Sequence, residues 1–405
     1  MTMKCVVVQG DGMGDEPIAD LGGKTPLEVA RTPHLDRIAS RGILGLTRTI
    51  PRGVAPEGEA GTLAVLGYDP ARHRVGLAPL EAVSLGVELG REDVAFRLNL
   101  VTVGTNDEGV EVMRDYAGGH PPTPEAHLLV ADLAEAIGGD GIEVYPGVGY
   151  RHLLVWRGGE AGMRTLPPHP LADKPIAAAL PSGPGAERLH GLMRRAADLF
   201  AGHPVCTARR ARGEGAPTGI WLWGHGTRPV LPPLRTRFGV QGSVVAAVDL
   251  VRGLGMLAGL RVVDVPGATG YLDTNYRGKA EHALAALDDR DFVFVHVGAP
   301  DEGGHLGDAA QKVAAIERID EDVVAPLLEG LRARGGDWRL LVTTDHPTPC
   351  ALRVHTAEPV PFAVAHARDD ERGRSVKRAF HERDARELGI FLPEGHGLLE
   401  RLLRP

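Results

Sequence analysis

Residues 292–308 read Phe-Val-Phe-Val-His-Val-Gly-Ala-Pro-Asp-Glu-Gly-Gly-His-Leu-Gly-Asp. The run from Phe292 to Val297 is β-branched and aromatic except at His296, the pattern of a strand buried on both faces. Gly298 and Pro300 end it and open a helical turn. In that turn Asp301 and His305 stand four apart, on one face. A buried strand that hands a carboxylate and an imidazole to its carboxyl end predicts an α/β sheet with a metal site at that edge.

The same grammar recurs on either side. Val6–Val8 is a short β-branched run that delivers Asp11 in Gly10-Asp11-Gly12. Leu340–Thr344 is another apolar run, followed by Asp345-His346 and then, after Pro347 and Pro349, by His355. The prolines bend the chain, so that adjacent Asp and His side chains can face one ion. Further strands are expected at Gly219–Trp223 and Leu260–Val265, with helices over Thr32–Arg41, Val244–Ala258 and Gly278–Leu287. This alternation predicts an α/β core sheet with helices on both faces. Shorter alternating strands at Phe96–Val103, Glu111–Arg114 and Tyr150–Trp156 predict an inserted α+β domain. The expected organisation is a first core part at 1–90, an inserted domain at 91–215 and a second core part at 216–405.

Composition narrows the partners. The 405 residues are 43% apolar and 24% charged, enough for a large buried core and unlike a disordered chain. A net charge of −8 argues against a nucleic-acid partner. The basic residues are nearly all arginine; only Lys4, Lys24, Lys174, Lys279, Lys312 and Lys377 are lysine. Cys5, Cys206 and Cys350 lie far apart and form no CxxC pair, which argues against a disulfide scaffold and a thiolate zinc site. The N-terminal apolar run is too short for a signal-peptide core, and no stretch approaches 18 apolar residues. The expected setting is the cytoplasm, with no membrane partner.

Asp11, Asp301, His305, Asp345, His346 and His355 all fall at or just after expected strand ends. Six ligands divide into two three-ligand sites, the arrangement with which two-metal enzymes clamp a phosphoryl group. Three imidazoles favour Mn²⁺ or Zn²⁺ over Mg²⁺. The implied partner is a small anionic metabolite.

Seven stretches carry a resemblance that covers nearly the whole chain: residues 10–42 (GDGMGDEPIADLGGKTPLEVARTPHLDRIASRG), 66–70 (LGYDP), 145–155 (YPGVGYRHLLV), 220–229 (IWLWGHGTRP), 265–281 (VPGATGYLDTNYRGKAE), 292–308 and 343–362 (TTDHPTPCALRVHTAEPVPF). They resemble the archaeal type of cofactor-independent phosphoglycerate mutase, within the alkaline phosphatase superfamily. The resemblance implies an alkaline-phosphatase-like core interrupted by a substrate-gripping insert. It also implies that Asp301, His305 and His355 hold one ion, and that Asp11, Asp345 and His346 hold the other. The family completes the second site with a serine, its nucleophile, followed four residues later by a histidine. Counted back from 66–70, Gly58 stands at the serine position and Thr62 at the histidine position.

The loss of that serine leaves three expectations. Glu57 or Glu59 supplies an oxygen ligand while metal-activated water or a substrate hydroxyl attacks directly. Alternatively Thr62 acts as a displaced nucleophile in a phosphoglycerate mutase, or the protein binds metal and ligand without catalysis. Anion-gripping candidates are His120, Arg151, Arg209, Arg210 and Arg228, the last beside the glycines of the Trp-Gly-His-Gly loop. Lys279 is expected to cap or cover a helix surface.

Overall fold

The computed structural model describes residues 3–56, 58–73, 75–371 and 376–404. Two strands, β1 (Lys4–Gly10) and β2 (Ile43–Thr47), come first. β3 (Val94–Thr105), β4 (Glu111–Asp115), β5 (Ile142–Val148), β6 (Arg151–Trp156) and β7 (Gly219–Thr227) follow. β8 (Gly242–Val245), β9 (Arg261–Val263), β10 (Phe292–Val297), β11 (Trp338–Thr343), β12 (Val360–His366) and β13 (Ile390–Leu392) complete the set. The chain divides into two units, one of residues 1–74 with 230–405 and one of Val75–Pro229.

The first unit is built on an eight-stranded sheet in the order β13-β2-β12-β11-β1-β10-β8-β9. β1 lies at its centre, parallel to β10 on one side and β11 on the other. β12 is antiparallel to both of its neighbours. The central strands alternate between two buried faces, so none of them has a polar side. Val6, Val8, Val293, Val295, Leu340 and Val342 pack on one face with residues of the Tyr276–Ala286, Ala309–Arg318 and Ala325–Arg334 helices. The Pro33–Arg41 helix joins the same core through Leu35 and Ile38, and its first turn is held from outside. The buried carboxylate of Asp320 accepts the His34 and Leu35 N–H groups at 3.0 and 2.7 Å. The helix start therefore has a remote cap, its own Thr32 side chain making no cap bond.

The second unit is an antiparallel sheet in which the 12-residue β3 pairs with β4, β6 and β7. Phe96, Leu98, Leu100, Leu154 and Leu222 bury one face in a core shared with residues of the Thr123–Ile137 and Ala186–Gly202 helices.

Three expectations are corrected. The inserted unit is wider than residues 91–215, because the Leu77–Ser84 helix packs on β3 and β7. The Gly219–Trp223 run is not a parallel core strand; it opens β7, antiparallel to β3. A continuous apolar run reads the same in either setting, since both bury the strand on two faces. The expected helix over Val244–Ala258 starts only at Asp249, Val244 and Val245 pairing with β10 as the end of β8. No described helix is long and apolar enough to cross a membrane.

Candidate metal centre

β10, β1 and β11 are neighbours and parallel, so their carboxyl ends open on one edge. Asp11 follows β1. Asp345 and His346 follow β11. Asp301 lies in the Ala299–Leu306 helix, which begins two residues after β10. Side chains separated by nearly 300 residues thus converge because their strands are adjacent.

Two sets of ligand atoms lie close enough to hold an ion, Asp301–His346–His355 and Asp11–Asp345–His346, with His346 common to both. His346 Nε2 is 3.4 Å from Asp11 Oδ1 and 3.5 Å from Asp345 Oδ2. His355 Nε2 is 3.4 Å from Asp301 Oδ1. His305 Nε2 lies 3.3 Å from Asp301 Oδ2 and 3.0 Å from His355 Nε2. The structure thus gathers all six expected ligands, and places His346 against both groups.

The donor set fits divalent cations. The Nδ1 of His305 lies 2.9 Å from the Arg353 carbonyl, and the Nδ1 of His355 lies 3.0 Å from the Pro56 carbonyl. A carbonyl only accepts, so each Nδ1 carries a proton, which leaves each Nε2 to take a second proton or an ion. Without an ion the Asp301 carboxylate raises His305 to about 9, so a proton is held among these nitrogens and Asp301, and a divalent cation would take its place. In the other group the buried Asp11 Oδ1 and His346 Nε2 have no hydrogen-bond partner. Burial, and then the carboxylates of Asp345 and Asp301, push the Asp11 carboxyl well above its ordinary range. A cation relieves this crowding of negative charge. Against the burial that would raise it, hydrogen bonds to His305 and His355 hold Asp301 well below the usual carboxylate range.

Side chains behind the ligands fix them. Thr348 Oγ1 donates to Asp301 Oδ1 at 2.5 Å and lies 3.3 Å from His346 Nδ1. His296 Nε2 is 2.9 Å from Asp11 Oδ2. Gly12 Cα, at φ 60°, faces Asp301 so closely that a Cβ there would meet Asp301 Oδ1 at 2.5 Å. The turn after β1 therefore needs glycine for both conformation and space. Beneath the loops, the buried Lys312 ammonium donates at 2.8 Å to Asp15 Oδ2 and to the Gly14 and Thr348 carbonyls. Lys279 is a correction: it is fully buried, not a surface cap, and its ammonium donates to the His296 carbonyl at 3.0 Å. Burial lowers it to about 8. Thr348, His296 and Lys312 escaped sequence reasoning. The available signal was that Gln9 and His296, register partners on two central strands, are the polar interruptions of otherwise apolar runs.

The Gly58–Val65 helix carries the departures. Thr62, on its second turn, is buried; Oγ1 accepts from Gln9 Nε2 at 2.8 Å and donates to Asp345 Oδ2 at 3.3 Å. Glu59 is buried in the first turn and belongs to neither ligand group. Glu57 lies outside the described residues.

In the inserted unit, His120 adopts φ 50° and stands edge-on to Tyr150, 5.5 Å between ring centroids. Arg151 lies over the same ring at 4.9 Å. His120, Arg151 and Tyr150 thus form one aromatic and cationic group. Arg228 is exposed just past β7. Arg209 is placed otherwise: it is buried, bonded to Glu125 and to the Gly119 and Gly215 carbonyls at 2.7 Å each. Its guanidinium is occupied in holding loops together. Arg210 is exposed and bonded to the Ala201 carbonyl.

A family model described as 2,3-bisphosphoglycerate-independent phosphoglycerate mutase matches residues 39–206. A Geobacter sulfurreducens protein named "Probable 2,3-bisphosphoglycerate-independent phosphoglycerate mutase" is 47% identical over 401 residues, which are 99% of this chain and 100% of that one. A Methanothrix thermoacetophila protein of the same enzyme name is 45% identical, with 99% and 100% covered. Of solved structures, a Pyrococcus horikoshii protein aligns at a TM-score of 0.82 and 28% identity, covering 100% of this chain and 97% of that one. The cofactor-independent phosphoglycerate mutase of Thermoplasma acidophilum aligns at 0.64 and 26%, covering 100% and 99%. With full-length identity at this level, the chain belongs to the family of 2,3-bisphosphoglycerate-independent phosphoglycerate mutases.

Proposed function

We propose that this family member is a two-metal enzyme acting on a small phosphorylated acid of the phosphoglycerate class, and that its phosphoryl group moves in a single displacement, with no phosphoenzyme. Asp301, His305 and His355 would hold one ion and Asp11, Asp345 and His346 the other, Mn²⁺ or Zn²⁺ by the chemistry of three imidazoles. Such ions neutralise phosphoryl oxygens and make water or a hydroxyl nucleophilic near neutral pH. The observation that carries the reading is Gly58, which puts no hydroxyl at the start of the Gly58–Val65 helix. Within that helix the sole hydroxyl is that of Thr62, which is engaged by Gln9 and Asp345. The chain's own groups bind and orient. Thr348 and His296 fix the carboxylates of Asp301 and Asp11, and Arg151, His120 and Arg228 are the anion contacts of the inserted unit.

A second reading rests on one distance. Thr62 Oγ1 lies 3.3 Å from Asp345 Oδ2, so its hydroxyl stands beside the second ligand group and could serve as a displaced nucleophile. Quenching the metal-loaded protein during turnover of labelled 3-phosphoglycerate and mapping adducts by mass spectrometry separates the two. No phosphopeptide, with inversion at a chiral phosphorus, is expected. Phosphate on Thr62, or net retention, selects the second reading, and no turnover with any phosphorylated acid overturns both.

A further inference from the structure

The first unit has a second concave site, along one face of β12, whose Arg339 and His366 lie at the opposite end of β11 from the metal ligands. A cleft of about 350 Å³ lies between one sheet face and the Gly397–Leu403 helix. Arg339 is the second residue of β11, whereas Asp345 lies two past its end. Six residues of extended chain separate them by roughly 20 Å. The floor of the cleft is apolar, made by Phe362, Val364, Leu392 and Leu398. Its polar lining is cationic, from Arg339, Arg368, Arg401 and Arg404, with His366. No Asp or Glu is among the described lining residues.

Arg339 is the unusual group. It is 6% exposed, and its Nη1 donates to the Leu402 carbonyl. Its Nε is buried with no partner. A buried guanidinium without a carboxylate is costly and is normally paired. Across the β11–β12 ladder it faces His366, whose burial and whose Arg339 neighbour hold it below the ordinary histidine range. Asp337 and Asp369 are near enough to bear on His366, yet neither makes an ion pair with Arg339 among the described residues. Arg404 is bonded to Glu400, while Arg368 and Arg401 are exposed and form no ion pair among the described residues. A protein with a net charge of −8 thus concentrates unpaired cations at one apolar hollow.

We propose that this cleft binds a small organic anion, a carboxylate or phosphate headgroup on an apolar body. The buried Arg339 and the rim arginines take the headgroup, since a guanidinium matches either oxyanion with two parallel N–H groups. The apolar floor takes the body. The cleft volume is at the lower end of the range for small-molecule sites, which sets the ligand at metabolite size.

Titration calorimetry on the metal-loaded protein tests this with octanoate, octyl phosphate and inorganic phosphate. Octanoate or octyl phosphate should bind one per chain, and the tighter of the two identifies the headgroup. The Arg368→Ala/Arg401→Ala double variant should weaken that binding at least about tenfold with an unchanged melting temperature. Arg339→Met should abolish it, while Asp301→Asn, at the metal end, should leave it as it is. Absence of binding, equal affinity in the double variant, or loss on Asp301→Asn would overturn the proposal. Inorganic phosphate binding as tightly as octyl phosphate would overturn the apolar half of it.

Discussion

Replacing Gly61 by alanine should loosen the second ligand group from behind. The residue sits inside the Gly58–Val65 helix, where glycine is otherwise the poorer choice by about 0.5–1 kcal/mol. A Cβ at this position would meet the Asp345 carbonyl oxygen at 2.6 Å and the Asp345 Cβ at 2.7 Å. Unstrained carbon contacts lie near 3.5–4.0 Å, so helix and loop must part by about 1 Å. Backbone cannot swing aside as a side-chain tip can. Overpacking of this kind costs about 1–3 kcal/mol, leaving a net loss of roughly 1–2 kcal/mol after the gain in helix propensity. In a unit of this size that is a fall in melting temperature of about 2–8 °C. The same displacement moves a proposed metal ligand, so affinity at one of the two sites should fall about 10–100-fold. Calorimetric melting of the metal-free protein and titration with Mn²⁺ measure both. Gly191→Ala is the control: nothing lies within 4 Å of its Cβ position, in the Ala186–Gly202 helix, so it should stabilise. A higher melting temperature and unaltered metal affinity in Gly61→Ala would refute the close-approach argument.

Lys312→Met should cost about 3–5 kcal/mol in urea unfolding, because it strands a buried Asp15 carboxylate and two carbonyls; a loss under 1 kcal/mol would show the strut to be dispensable. Thr62→Val should lower metal affinity or turnover by about 10–100-fold through Asp345, and complete loss of turnover with intact metal binding would mark Thr62 as the nucleophile. His152 is buried, its Nδ1 accepting the Gly147 N–H at 2.9 Å, and burial lowers it to about 4. The unfolded chain takes up that proton near pH 6.5 and the folded one does not. The stabilisation is therefore full above about pH 6.5 and is lost as the pH falls through 4, on the order of 3 kcal/mol in all. His152→Phe should flatten this slope in denaturation curves from pH 4 to 7, and an unchanged slope would assign it to another group.

Much of the architecture is legible because the central strands are apolar on both faces and end in Asp or Asp-His. Asp11, Asp301, Asp345 and His346 stand out for that reason. What the sequence hides is whatever depends on which strand lies next to which. β7 and the core strands share one composition, so only pairing distinguishes them. Arg209 reads as an anion grip because arginine suits that task, yet the Gly119 and Gly215 loops claim it first. Lys279 reads as a helix-surface residue, although in an arginine-rich chain the scarcity of lysine is a clue to it and to Lys312. A compact ammonium can point three donors at separate carbonyls, which a planar guanidinium cannot match.

The central position of β1 also dictates a timetable for biosynthesis. The strand leaves the ribosome well before its two neighbours, β10 and β11, which are nearly 300 and more than 330 residues later in the chain. Until they emerge, β1 offers two apolar faces and two unpaired edges, a hazard for association with other chains. The inserted unit is contiguous, carries its own sheet and core, and can close while the rest is still being made. Folding of the outer unit is then a closure of very long loops, slow by its topology, and the metal ligands meet only at its end.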